Sequence, residues 1–153
     1  MPRFASSVRF AEQQRLNAGR LVGLTDYADV PEEVLAEMRA ICAGLPEAYE
    51  EQAWTGKRWR IRKRTFVHVF AIDSPRGPFT AMQFRSEGPE LDILRHAGHP
   101  FFAAGWGKNV VGMVLGNDTN WTEVGELVTE SFCIMAPKKL AAQVAPPNGE
   151  TPP

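Results

Sequence analysis

The 153 residues are 44% hydrophobic and 23% charged, with 17 Lys and Arg set against 18 Asp and Glu for a net charge of −1. That balance fits one globular domain and excludes a collagen-like, coiled-coil or wholly disordered chain, and equally a uniformly basic nucleic-acid coat. No apolar run is long enough to span a membrane. The first twenty residues lack the apolar stretch of a secretory signal. Cys42 and Cys133 lie far apart and form no CxxC pair, so a reducing cytoplasm is the expected setting.

Residues 1–29 are weakly patterned and read as an N-terminal extension, in which Val8, Ala11, Arg15 and Leu16 share one face of a short amphipathic helix. Residues 30–144 carry the patterning of a single hydrophobic core. The polar, Pro-rich stretch 145–153 cannot bury a core and reads as a disordered tail. Within the core, Pro31, Glu32 and Glu33 open a helix. Val34, Met38, Ile41, Cys42 and Leu45 fall on its apolar face, and Gly44 and Pro46 stop it.

WRIRKRTFVHVFAID follows, rich in aromatic and β-branched residues. It predicts two strands, about 57–62 and 65–72, with Lys63 and Arg64 near the tip between them. SPRGP is a turn signal. FTAMQFR is a third strand with Phe79, Ala81, Gln83 and Arg85 on one side. GPELDILRHAG predicts a short helix with Leu91 and Leu94 inward, and VVGMVL a short strand. Asn120, with Glu123 three residues on, starts an amphipathic helix that runs to Met135. PKKLAAQV adds a final turn. The order is helix, three strands, helix, one or two strands, helix. It predicts a single α+β domain with an antiparallel sheet flanked by helices.

The stretches CAGLPEAYEE, WRIRKRTFVHV and FRSEGPELDILRHAGHPFF, and above all GWGKNVVGMVLGNDTNWTEVGELVTESFCIMAPKKL, resemble the MmcQ/YjbR-like family. The resemblance covers about residues 30–144 and implies a fold like that of CyaY. The family is commonly described as DNA-binding through a double-wing arrangement, which makes DNA the implied partner. It brings no catalytic motif to carry over.

Charge is the sharpest functional signal. Six of the eight residues from Lys57 to Arg64 are basic, whereas Asp29 to Glu51 holds seven acids against Arg39 alone. On a strand, Arg58, Arg60 and Arg62 alternate onto one face while Trp59 and Ile61 turn inward. Guanidiniums about 6.5–7 Å apart on a strand match the roughly 7 Å spacing of phosphates along one nucleic-acid strand. Arg58, Arg60, Arg62, Lys63 and Arg64 are therefore the candidate nucleic-acid-binding residues, with Lys108 in the Gly-rich GWGK turn as an outlier. The contacts would touch backbone phosphate without reading sequence. Two other readings stay open: the stripe protects a sheet edge, or it meets Glu47, Glu50 and Glu51 across the sheet or at a subunit boundary. In either of these the domain is a protein-interaction or small-ligand module with no nucleic-acid role.

Catalytic and metal signals are weak. His68, His96 and His99 have no Asp, Glu or Cys partners at ligand spacing. The CyaY comparison raises iron, and Glu32, Glu33 and Glu37 have the required sign, but acids in a first helical turn are ordinary partners of the helix dipole. There is no GxSxG elbow, and GWGK lacks the glycine spacing and the Ser or Thr of a phosphate-binding loop. No enzyme activity, metal or cofactor is expected. Trp54, Trp59, Trp106 and Trp121 read as core or hinge anchors, or as walls of a small apolar pocket.

Overall fold

The computed structural model describes residues 26–144 apart from 76, 105 and 106. The helix expected around Val8–Leu16, the stretch 145–153 and Trp106 lie outside the described residues. Among these, the elements run β1 (Asp26–Ala28), α1 (Glu32–Cys42), β2 (Tyr49–Gln52), β3 (Lys57–Ile61), β4 (Arg64–Ser74), β5 (Gly77–Arg85), α2 (Gly88–Arg95), β6 (Phe101–Ala103), β7 (Val110–Leu115), α3 (Trp121–Met135) and α4 (Lys138–Ala141). The strands form one antiparallel sheet in the order β2-β3-β4-β5-β7-β6. The long strand β4 serves two neighbours on one side: its first half pairs with β3 and its second half with β1. This is a single α+β domain, as the sequence pattern implies. No described helix is long and apolar enough to cross a membrane.

Side-chain alternation assigns the two faces. On one face, Trp59, Val67, Phe84 and Val111 form a rung; Val69, Met82 and Met113 form the next; Ala71, Thr80 and Leu115 form the third. Val124, Leu127, Val128 and Phe132 of α3, with Leu35, Met38 and Cys42 of α1, pack into the same buried cluster. Removing this apolar surface from water is the main driving force for the fold. The other face carries a second cluster of Phe70, Ile72, Ala81 and Phe102. There the Phe102 ring lies against Gly112 of the neighbouring strand, so close that it leaves no room for a Cβ at that position.

Two local devices set the end of the sheet nearest the β3–β4 hairpin. The pairs Trp59↔Val67 and Arg60↔Thr65 leave Phe66 as an additional residue in β4, a bulge. Its ring meets Phe132 edge-on at 5.3 Å. The Ser131 hydroxyl of α3, fully buried, donates to the Phe66 carbonyl at 2.5 Å and accepts from the Arg85 N–H at 2.8 Å. One side chain thus fastens α3 to both central strands. At its other end, α3 is capped by Asn120, whose Oδ1 accepts from the Thr122 and Glu123 N–H groups.

Candidate nucleic-acid interface

The hairpin differs from its sequence expectation in one consequential way. β3 ends at Ile61, and the chain reverses through Arg62 and Lys63, both with positive φ, 50° and 70°. Two consecutive left-handed residues make the tight turn whose twist suits a hairpin. Neither residue is the Gly or Asn that usually marks such a turn, so the sequence placed Arg62 on the strand. The three-arginine stripe is therefore two arginines on a strand and one in a turn. Trp59 and Ile61 do turn inward and are buried.

A second correction concerns freedom. β2 lies antiparallel to β3 with Glu51 opposite Arg58 and Tyr49 opposite Arg60. Directly opposed residues share a face. A single Glu51 oxygen, Oε1, accepts from Arg58 Nε at 2.7 Å and Arg60 Nη1 at 3.1 Å, and lies 2.6 Å from Arg58 Nη2. Arg60 also donates to the Lys63 carbonyl. Arg62 donates to both carboxylate oxygens of Glu47, at 2.9 and 3.4 Å. Glu50 points to the opposite face, where Arg39 of α1 binds it through two bonds of 2.8 Å. These hydrogen bonds hold the Glu51, Glu47 and Glu50 carboxyls below their ordinary range, against a smaller opposing effect of partial burial. Arg58, Arg60 and Arg62 thus carry their own counter-ions and do not stand as a free stripe.

The cations without such partners lie elsewhere. Lys63 sits at the hairpin apex. Arg64 donates to the Met135 carbonyl at the end of α3, at 3.5 Å, where a cation complements the negative end of the helix dipole. That contact brings the hairpin to the segment in which Lys138 and Lys139 follow. The pairing of β4 with β5 and of β5 with β7 puts the start of β4, the end of β5 and the start of β7 at one end of the sheet. The turn bearing Lys108 is there too, tied by Ser86 N–H to the Asn109 carbonyl at 3.0 Å and by Arg95 to the Gly107 carbonyl at 3.3 Å. Lys63, Lys108, Lys138 and Lys139 are all exposed, and among the described residues no carboxylate pairs with them. Three inter-strand steps separate the hairpin from the β6–β7 turn, about 14 Å. The sequence singled out Lys63, Arg64 and Lys108 and missed Lys138 and Lys139, because only the Arg64–Met135 contact joins them to the hairpin.

This end is bounded by acid. Glu87, Glu90 and Glu130 line a recess of about 330 Å³ between α2 and α3, beside Cys133. Burial, and then the charge and hydrogen bond of Glu90, push the Glu130 carboxyl above its ordinary range. No cluster of His, Cys, Asp and Glu able to hold a metal ion occurs among the described residues. His68 is buried, with Nε2 2.7 Å from the Thr55 carbonyl, and burial lowers its pKa. His96 lies against Asp92, one helical turn away.

Among solved structures, the chain is similar to the Deinococcus radiodurans protein DR2400, which carries a DUF419 domain. The two are 17% identical with a TM-score of 0.47, over 65% of this chain and 76% of that one. No curated protein matches the chain. The family model described as YjbR matches residues 43–134, from the end of α1 almost to the end of α3, and the chain belongs to the YjbR family.

Proposed function

We propose that this domain is a non-enzymatic, cytoplasmic binder of nucleic-acid phosphate that uses the end of its sheet, not the arginine-bearing strand face. The observation that carries this reading is the gathering of Lys63, Lys108, Lys138 and Lys139 on two turns and a short helix, with Arg64 at the start of β4, all exposed and, among the described residues, without a carboxylate partner. Two prongs about 14 Å apart are comparable to the roughly 12 Å major groove of duplex DNA, so they could rest on its two flanking backbones. Such contacts neutralise phosphate and release counter-ions but carry no base readout.

The test is fluorescence anisotropy with labelled duplex and single-stranded DNA across a salt series. Four to five phosphate contacts predict a log–log slope of about −4 on duplex DNA, and micromolar or weaker affinity at physiological salt. Changing Lys63, Lys138 and Lys139 together to Ala should flatten the slope to about −1. Changing Arg58 and Arg60 should alter it little. A flat response at low salt, or an undiminished slope in the triple variant, overturns the proposal.

A second reading rests on a different observation. Trp54, in the β2–β3 turn, is 70% exposed and packs edge-on against Tyr27 at 4.8 Å. An exposed Trp beside a self-neutralised charge ladder suits a protein partner at that edge. Loss of a protein contact on Trp54→Ala, with DNA affinity unchanged, would separate the two.

A further inference from the structure

The sheet has two apolar faces, and the described helices cover one of them. All four place side chains in or against the cluster built around Val69, Met82 and Met113, α2 through Leu91 and Leu94 and α4 through Leu140. The cluster on the other face, Phe70, Ile72, Ala81 and Phe102 with Tyr27, Phe79 and Val114 against it, draws only on strands among the described residues. An antiparallel sheet with one face in water alternates apolar with polar residues. The second half of β4 does not: Val69 and Ala71 turn to the helices, Phe70 and Ile72 away from them, and all four are apolar.

The burial of this face exceeds what strands alone provide. Side chains stand roughly perpendicular to a sheet, so those of a bare face keep their tips in water. Here Phe70 is 7% exposed, Phe102 4%, Ile72 1% and Ala81 0%, all within one chain, so the cover is the chain's own. Residues 145–153 hold no large apolar side chain, and they follow Val144, which packs on the helix-covered side. Residues 1–25 include Phe10, Leu16, Leu21, Val22 and Leu24 and lead directly into β1. That strand pairs with the second half of β4, and its Tyr27 ring meets Phe70 edge-on at 6.5 Å. The chain therefore enters the fold beside the cluster. From β1 across β4, β5 and β7 to β6 is four inter-strand steps, about 19 Å. An extended chain crosses that distance in about 6 residues and a helix in about 13, so 25 are enough in either form.

From the two apolar faces, the burial of the second and the entry of the chain beside it, we infer that residues 1–25 dock across the second face. Their leucine and phenylalanine side chains seat on Phe70, Ile72, Phe79, Phe102 and Val114, and the segment closes a second core. The inference is independent of phosphate binding, which uses the hairpin end of the sheet.

Methyl-to-ring nuclear Overhauser spectroscopy of the full-length, isotope-labelled chain tests it. The expected result is cross-peaks from the methyls of Leu16, Leu21, Val22 or Leu24 to the rings of Phe70, Phe79 or Phe102. They should vanish in an isotope-filtered experiment on labelled chain mixed with unlabelled chain, as contacts within one molecule do. Changing Leu16 and Leu21 together to Glu should speed amide exchange at residues 70–72 and 79–81 by about tenfold or more, since burying one leucine alone is equivalent to about that factor. Absence of the cross-peaks, or unchanged exchange in the variant, overturns the inference. Cross-peaks that survive the filter also overturn it, because they would place a second copy of the chain on this face.

Discussion

Ser131→Ala isolates the contact that holds the cationic end of the sheet together. The hydroxyl donates to the Phe66 carbonyl at the β4 bulge and accepts from the Arg85 N–H at the end of β5. Its removal leaves one buried acceptor, the Phe66 carbonyl, and one half-buried donor, the Arg85 N–H, without that partner. The space vacated by a single oxygen is too small for a water, which needs room for a whole probe sphere and polar partners of its own. An unsatisfied buried polar group costs about 1–3 kcal/mol, so the pair should cost about 3 kcal/mol and lower the melting temperature by about 10 °C for a domain of this size. Urea unfolding followed by tryptophan fluorescence measures it: the midpoint should fall with the slope unchanged. Ser131→Thr keeps the hydroxyl and serves as the control for its chemistry. A loss below about 0.5 kcal/mol, the scatter of ordinary surface substitutions, would refute the reasoning, since it would mean the two bonds are not made in solution.

Two further outcomes follow from the titrating groups. Glu130 has its folded pKa raised, by burial first and then by Glu90 and Glu126. Its neutral form is therefore favoured in the folded state, and its contribution falls as pH rises from the ordinary carboxylate range up through the raised value. Glu130→Gln should gain stability relative to the parent across that window and parallel it at lower pH. A difference independent of pH in parallel urea titrations would contradict this. The Cys42 thiol is pushed up to about 12, mainly by burial and then by the charge of Glu50, so it stays protonated and unreactive near neutral pH. Iodoacetamide should modify Cys42 only under denaturing conditions, as read by peptide mass spectrometry; fast labelling of Cys42 in the native protein would show that the α1–sheet contact opens readily.

The helices, the central strands and the inward turn of Trp59 and Ile61 were legible because local periodicity encodes them. α3 is the clearest case: Asn120 caps it and Val124, Leu127, Val128 and Phe132 mark its buried face. β2 was not legible. An edge strand such as Tyr49–Gln52, exposed along most of its length, carries no apolar alternation. Without β2, the pairing of the arginines with Glu47 and Glu51 stood only as one open reading, and the structure bears it out because that strand delivers Glu51 to Arg58 and Arg60. The turn at Arg62 and Lys63 lacked a Gly or Asn signal. The approach of Lys138 and Lys139 to the hairpin is tertiary, and nothing in their spacing announces it. The sequence therefore located the basic hairpin correctly but placed its available charge on the strand face, whereas the unpaired cations lie at the sheet end.

Chemical-shift mapping of the isotope-labelled chain against a short duplex tests that assignment most directly. The account predicts salt-sensitive shifts concentrated at Lys63, Arg64, Lys108, Lys138 and Lys139, with the β2–β3 ladder unmoved. Shifts centred on Arg58, Arg60 and Glu51, or none at all at low salt, would contradict it.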